Sequence, residues 1–149
     1  MNDTEDDVGA EQPKTITASI GMEAGTLETA INARHHRFGS DKAPPVYDST
    51  DAHPDPYDYI LAGLAACTLI SIRLSAEAKE YPLARAEVEV SFERRPPAVE
   101  GGLADHISRT IALHGDPSDR QRLSLMRAAN CAAYKSIAGG IPITTAPAR

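Results

Sequence analysis

No tryptophan occurs in this chain of 149 residues, and phenylalanine and cysteine occur twice each. A core without large aromatics has to be built from aliphatic side chains and alanine. Two cysteines are too few for the disulfide framework that holds small secreted domains together. Positive charge is in deficit: 15 Lys and Arg against 21 Asp and Glu leave a formal net charge of -6. With no Lys/Arg cluster, that balance argues against nucleic acid or an anionic membrane as partner. No apolar run reads as approaching the roughly 20 residues that a bilayer span needs. The opening MNDTEDDVGAEQP has no basic segment followed by an apolar one, so it does not read as a signal peptide. Residues 1–13 are expected to form a disordered acidic tail and residues 14–149 a single domain, in a cytoplasmic, reducing compartment.

What is present is ordered β, α, β, α, β. KTITASIG and TLETAINARHHRF read as an N-terminal hairpin around Glu23-Ala24-Gly25, with a Gly/Pro/Ser/Asp-rich loop from Gly39 to Pro54. Asp55-Pro56 then opens a long helix, with Asp55 as N-cap and Asp58 as a first-turn carboxylate. Ile60, Leu61, Leu64 and Leu74 carry it to a stop at Tyr81-Pro82. LARAEVEVSFERR alternates, Val88, Val90 and Phe92 against Glu87, Glu89 and Glu93, and DHISRTIALHG alternates through Ile107, Arg109, Ile111 and Leu113. The two predict an antiparallel ribbon joined by a loop at Pro96-Pro97 and Gly101-Gly102. Asp116-Pro117 repeats the cap-plus-proline start, predicting one helix through Leu123, Leu125, Ala129, Cys131 and Tyr134 to a stop at Gly139-Gly140. A short strand, IPITT, closes an α+β pattern.

Cys67 and Cys131 therefore fall in mid-helix, eleven residues after Pro56 and fourteen after Pro117. Each is either a small buried hydrophobe or a reactive thiol. The small residues of AGLAAC let another backbone approach closely, giving an apolar crevice that raises a thiol pKa unless a cation offsets it. The helix dipole fades within the first turn and does not reach Cys67. An activated Cys67 needs a basic partner from elsewhere in the fold. Arg34 and Arg37, in the second strand, are the candidates; Arg73 lies about 120° around the helix. His35 and His36, adjacent on a strand, point to opposite faces and cannot chelate together. No C-x-x-C, H-x-x-x-H or H-E-x-x-H spacing occurs, and no G-x-S-x-G elbow, so neither a metal nor a cofactor nor a hydrolytic serine is expected.

DPYDYILAGLAACT (Asp55 to Thr68) resembles the OsmC/Ohr family, the osmotically inducible and organic-hydroperoxide-resistance proteins. LSAEAKEYPLARAEVEVSFER, IALHGDPSDRQRLSLMRAANCAAYKSI and IPITT extend the likeness from about Thr15 to Thr145, nearest the broader OsmC-like branch. The resemblance implies an intertwined α+β homodimer in which two long central helices are wrapped by antiparallel sheets. It implies a thiol peroxidase for small organic hydroperoxides, with Cys67 matching the attacking thiol, Cys131 the resolving one, and an external dithiol as reductant. Asp58 falls where one branch of the family carries an acidic residue. Tyr57, Ala132 and Tyr134 depart from the family pattern, which carries glutamate, proline and often histidine there. An OsmC-like protein that binds a small apolar ligand at the dimer interface, with both cysteines as packing, is the alternative.

Overall fold

The structure, a computed structural model, describes residues 14–22, 27–42, 51–95, 99–100 and 105–148. The expected acidic tail, the Glu23-Ala24-Gly25 turn, residues 43–50 of the proline-rich loop and the Pro96-Pro97 and Gly101-Gly102 loop residues lie outside them. The chain divides into two compact units, Met1–Pro56 and Tyr57–Arg149.

In the first unit, β1 (Ile16–Ile20), β2 (Thr29–Ala33) and β3 (His36–Ser40) form an antiparallel meander. The long second strand expected from TLETAINARHHRF is two strands. It folds back at Arg34-His35, so that Ala33 pairs with His36 and Thr29 with Ser40. Neither turn residue is the Asn or Gly that usually marks such a hairpin. Arg34 adopts left-handed backbone, φ 55, at a cost of about 1 kcal/mol. The chain is then pinned back: the Pro54 carbonyl accepts from the Asp41 amide at 3.2 Å and the Ser40 hydroxyl at 3.0 Å.

In the second unit, α1 (Pro56–Ala78) starts on a proline, whose missing N–H is no loss in a first turn. It ends in a Schellman arrangement, Tyr81 N to Ala76 O at 2.9 Å and Glu80 N to Glu77 O at 3.2 Å, with Glu80 at φ 52. Contrary to the sequence expectation, α1 is by length and composition long and apolar enough to cross a bilayer. The polar residues that interrupt it, Thr68, Ser71 and Ser75, are short and barely lower its hydropathy. A core helix passes the same test, and the buried residues of α1 form a stripe four apart: Leu64, Thr68, Ile72 and Ala76.

β4 (Leu83–Arg94) and β5 (Asp105–Gly115) pair antiparallel, Val88 opposite Ile111 and Arg94 opposite Asp105, with a bulge between Leu83 and Arg85. Gly115, φ 111, sits against that bulge. A Cβ there would lie 2.7 Å from both Ala84 N and Pro82 O, so only glycine fits.

The last helical segment differs most from expectation. α2 (Asp119–Ala128) is capped by Ser118, not Asp116, in a reciprocal box with Gln121. It stops at Ala128, and a separate α3 (Ala132–Gly139) begins after Cys131. Ile72, Ala76, Leu125 and Ala129 form the core, with Tyr81, Leu83, Ala86, Ile111 and Leu113 packed against it. Arg122 donates to the carbonyls of Leu113 and Gly115, and Lys79 to Ser124 Oγ, which fixes α2 against β5 and α1. Residues 141–148 contain no strand, so IPITT does not pair as expected. The class is α+β with antiparallel sheets, as expected, but among the described residues with one long helix and two short ones.

Candidate active site

Cys67 and Cys131 are neighbours. Both thiols are free and close enough for each to shift the other's ionisation, Cys67 partly exposed and Cys131 buried at 4% exposure. Cys131 is not in mid-helix: with φ -68 and ψ 176 it is the N-cap of α3. Its sulfur therefore stands at the positive end of a helix, among amides that have no intrahelical partner.

The two thiols ionise in opposite directions. Burial pushes Cys131 up, but the Cys67 thiol, the backbone amides of Tyr134 and Ala133 and the Thr68 hydroxyl outweigh it, so its pKa falls below the ordinary 9.0. Cys67 rises above 9.0, first because it gives its proton to Cys131, and further through burial and the negative charge on Cys131, although the Ala133 amide opposes this. Of the two, Cys131 is the thiol that gives up its proton first.

The cation at this place is Arg109. Its Nη1 donates to Thr68 Oγ1 and to the Ala129 carbonyl, both at 2.8 Å, and its Nη2 to Asn130 Oδ1 at 3.2 Å. Its guanidinium carbon lies 4.5 Å from the Tyr134 ring centroid. An unbroken helix would give the Ala129 carbonyl to an amide one turn on; here Arg109 takes it, and the chain restarts at Cys131. Arg109 is absent from the sequence expectations, although its signal is legible: it is a charge held between Ile107 and Ile111 on the half-buried face of the strand.

The expected assistants are placed differently. Arg34 is in the β2–β3 turn and Arg37 on β3, not both on one strand, and both are exposed. Asp58 is exposed in the first turn of α1, half a turn and about 13 Å along the helix from Cys67. His35 and His36 do not face apart: the bend brings their ring centroids to 4.0 Å. Among the described residues no group of His, Cys, Asp or Glu could hold a metal ion.

Arg109 and Tyr134 also line an open groove of about 670 Å³, floored by Tyr57, Ile60, Leu64 and Phe92. Tyr57 and Phe92 stack across it at 4.4 Å. The family model described as OsmC-like protein matches residues 49–146, a span that includes both cysteines, Arg109 and this groove.

The chain belongs to the OsmC-like family. Among solved structures, the OsmC-like protein of Mycoplasma pneumoniae is 20% identical, with 87% of this chain and 89% of that one covered and a TM-score of 0.71. The OsmC-like protein VCA0330 of Vibrio cholerae, of unknown function, is 15% identical over 83% and 92%, TM-score 0.67. The organic hydroperoxide resistance protein OsmC of Legionella pneumophila is 20% identical over 87% and 92%, TM-score 0.61. No curated protein matches. At these identities the neighbours establish the OsmC-like fold, and the chemistry rests on this chain's own residues.

Proposed function

We propose that this OsmC-like protein reduces small organic hydroperoxides at the Cys67–Cys131 pair. The observation that carries the proposal is the nearness of two free thiols from distant parts of the chain, one partly exposed and the other at a helix N-terminus. The hydroperoxide-resistance naming of the Legionella neighbour is consistent with it.

In this reading Cys67, the more exposed thiol, is the one a peroxide reaches. Its proton passes to Cys131 as its sulfur attacks the terminal peroxide oxygen. The O–O bond breaks, the alkoxide takes up the proton from Cys131 and leaves as alcohol, and Cys67 becomes a sulfenic acid. The Cys131 thiolate then attacks the Cys67 sulfur. The S–O bond breaks, hydroxide leaves as water with a solvent proton, and a disulfide remains. An external dithiol supplies the two electrons that restore both thiols.

A homodimer completes the proposal. Ile60, Ile70 and Leu74 of α1 are 46%, 59% and 59% exposed in the single chain, an apolar face that a second copy would cover. In the same reading at most one of Arg34 and Arg37 assists Cys67, and an Asp58 that takes part in catalysis serves the Cys67 of the partner chain. The compartment is taken as cytoplasmic, where a dithiol reductant is at hand. The groove supports a second reading, in which an apolar ligand binds and no turnover occurs.

Thiol titration of the native protein before and after cumene hydroperoxide separates the two. Loss of both thiols with retention of fold is the expected result; retention of both thiols at excess peroxide rejects the enzyme.

A further inference from the structure

Aromatic side chains are scarce in this chain: two Phe and five Tyr among 149 residues. The core of Ile72, Ala76, Leu125 and Ala129 has Tyr81 as its one aromatic neighbour among the described residues. Three others, Tyr57, Phe92 and Tyr134, line the open groove of about 670 Å³, a volume suited to a small organic molecule. Tyr57 and Phe92 stack there with planes 28° apart, and Tyr57 keeps 37% exposure, so the pair forms a flat wall and not a buried plug. Phe92 pairs with Ile107 across the ribbon, and Arg109 stands two residues further along β5, about 7 Å away. Nη1 of Arg109 donates to Thr68, the residue after Cys67, and Nη2 to Asn130, the residue before Cys131. The groove therefore runs from an aromatic wall to a cation bonded beside both cysteines.

We propose that this groove selects the substrate and takes hydroperoxides whose peroxide-bearing carbon carries an aromatic ring. The ring lies against Tyr57 and Phe92, and the peroxide points to the Arg109 end. A ring, its attached carbon and two oxygens suffice to cover that span. An aliphatic groove would take any apolar tail of the right bulk, because burial of apolar area is not directional. Stacked rings gain more from a further ring, set offset or edge-on, than from a saturated group, because the positive edge of one ring meets the negative face of the next. The proposal rests on the peroxidase reading for the peroxide itself, while the ring preference is read in binding alone. Ile60 belongs both to the groove and to the apolar face left to a second copy, so the whole assembled protein is the form to test.

The experiment is a calorimetric titration of the reduced wild-type protein with cumyl alcohol, the product of cumene hydroperoxide, and with its saturated cyclohexyl counterpart. Neither carries an O–O bond, so neither turns over. Cumyl alcohol is expected to bind roughly three- to tenfold more tightly, the ratio that one ring–ring contact is worth. Phe92→Leu keeps apolar bulk and removes a ring, and is expected to erase that difference; Phe92→Tyr keeps the ring and should retain it. In steady state, the ratio of kcat/KM for cumene hydroperoxide to that for tert-butyl hydroperoxide should fall by a similar factor in Phe92→Leu, through KM. Equal affinity for the two alcohols overturns the proposal, and so does binding of neither, the result of a groove that the second copy fills. Where Phe92→Leu does not fold, Tyr57→Leu removes the other ring, and an unchanged preference in that variant overturns it. A ring preference in binding with turnover of neither hydroperoxide upholds the aromatic site and rejects the peroxidase reading instead.

Discussion

Arg109 stacks its guanidinium on the ring of Tyr134, 4.5 Å from the centroid, while Nη1 of the same group holds the carbonyl of Ala129. The two residues thereby grip the break between α2 and α3 from both sides, one before Cys131 and one after it. Arg109→Ala releases a carbonyl, an amide oxygen and a buried hydroxyl together, and is expected to cost about 2–4 kcal/mol in urea unfolding. Tyr134→Leu keeps the apolar cover and removes the π face, for about 0.5–2 kcal/mol.

Turnover should separate the two thiols. Cys67→Ser is expected to abolish hydroperoxide consumption, since a serine hydroxyl at neutral pH is a far weaker nucleophile than a thiolate. Cys131→Ser should complete one oxidation and stop, leaving Cys67 as a sulfenic acid that dimedone labels. Wild-type turnover in the Cys67 variant contradicts the assignment.

Stability should depend on pH with opposite signs at the two sulfurs. Cys131 is lowered in the fold, so its contribution is full above the unfolded thiol pKa and disappears as pH falls through the lowered folded value. Cys67 is raised, so its contribution is full below the unfolded pKa and disappears as pH rises through the raised value. The stability lost in Cys131→Ser should therefore grow as pH is raised toward 9.0, the ordinary thiol value. A loss independent of pH over that window argues that the Cys131 thiolate is not favoured by folding.

Glu80 stands where a helix terminator normally has glycine. At φ 52 it carries the left-handed strain of the Schellman stop after α1. Glu80→Gly is expected to raise stability by about 1 kcal/mol, read as a higher urea midpoint with an unchanged slope. A loss of stability means that the Glu80 side chain makes up for the strain.

Mixed dimers test Asp58. A Cys67→Ser chain paired with an Asp58→Asn chain leaves one site with both residues and the other with neither. Half of wild-type activity, with each pure variant inactive, is the result expected of a carboxylate that works across the interface. Full activity in pure Asp58→Asn reduces Asp58 to a first-turn helix charge.

The elements readable along the chain were those whose signals are local. Asp55-Pro56 and Tyr81-Pro82 bracket α1, and period-two alternation marks β4 and β5 residue by residue. The break at Cys131 is not local. Asn130 is no proline, alanines flank the cysteine, and the carbonyl freed at Ala129 is satisfied by Arg109 from twenty positions away. Cys131 consequently read as a mid-helix residue, when it holds the cap. Arg34 misled for a related reason, since a left-handed arginine has no signature in a run of polar residues. Both cysteines were identifiable as candidates by type; their meeting depended on tertiary structure. Arg34 and Arg37 were the cations expected near Cys67, although an arginine between Ile107 and Ile111 on a half-buried strand face was already a residue that needed a partner.

Positions 67 and 131 stand far apart along the chain, and that separation gives the thiol contact a thermodynamic side. A covalent bond between them would close a ring of more than sixty residues, removing conformations from the unfolded chain worth about 4 kcal/mol of entropy. The oxidised protein would then be the harder one to unfold and the reduced protein the more pliant, so the redox state of the pair would also set the molecule's resistance to proteolysis.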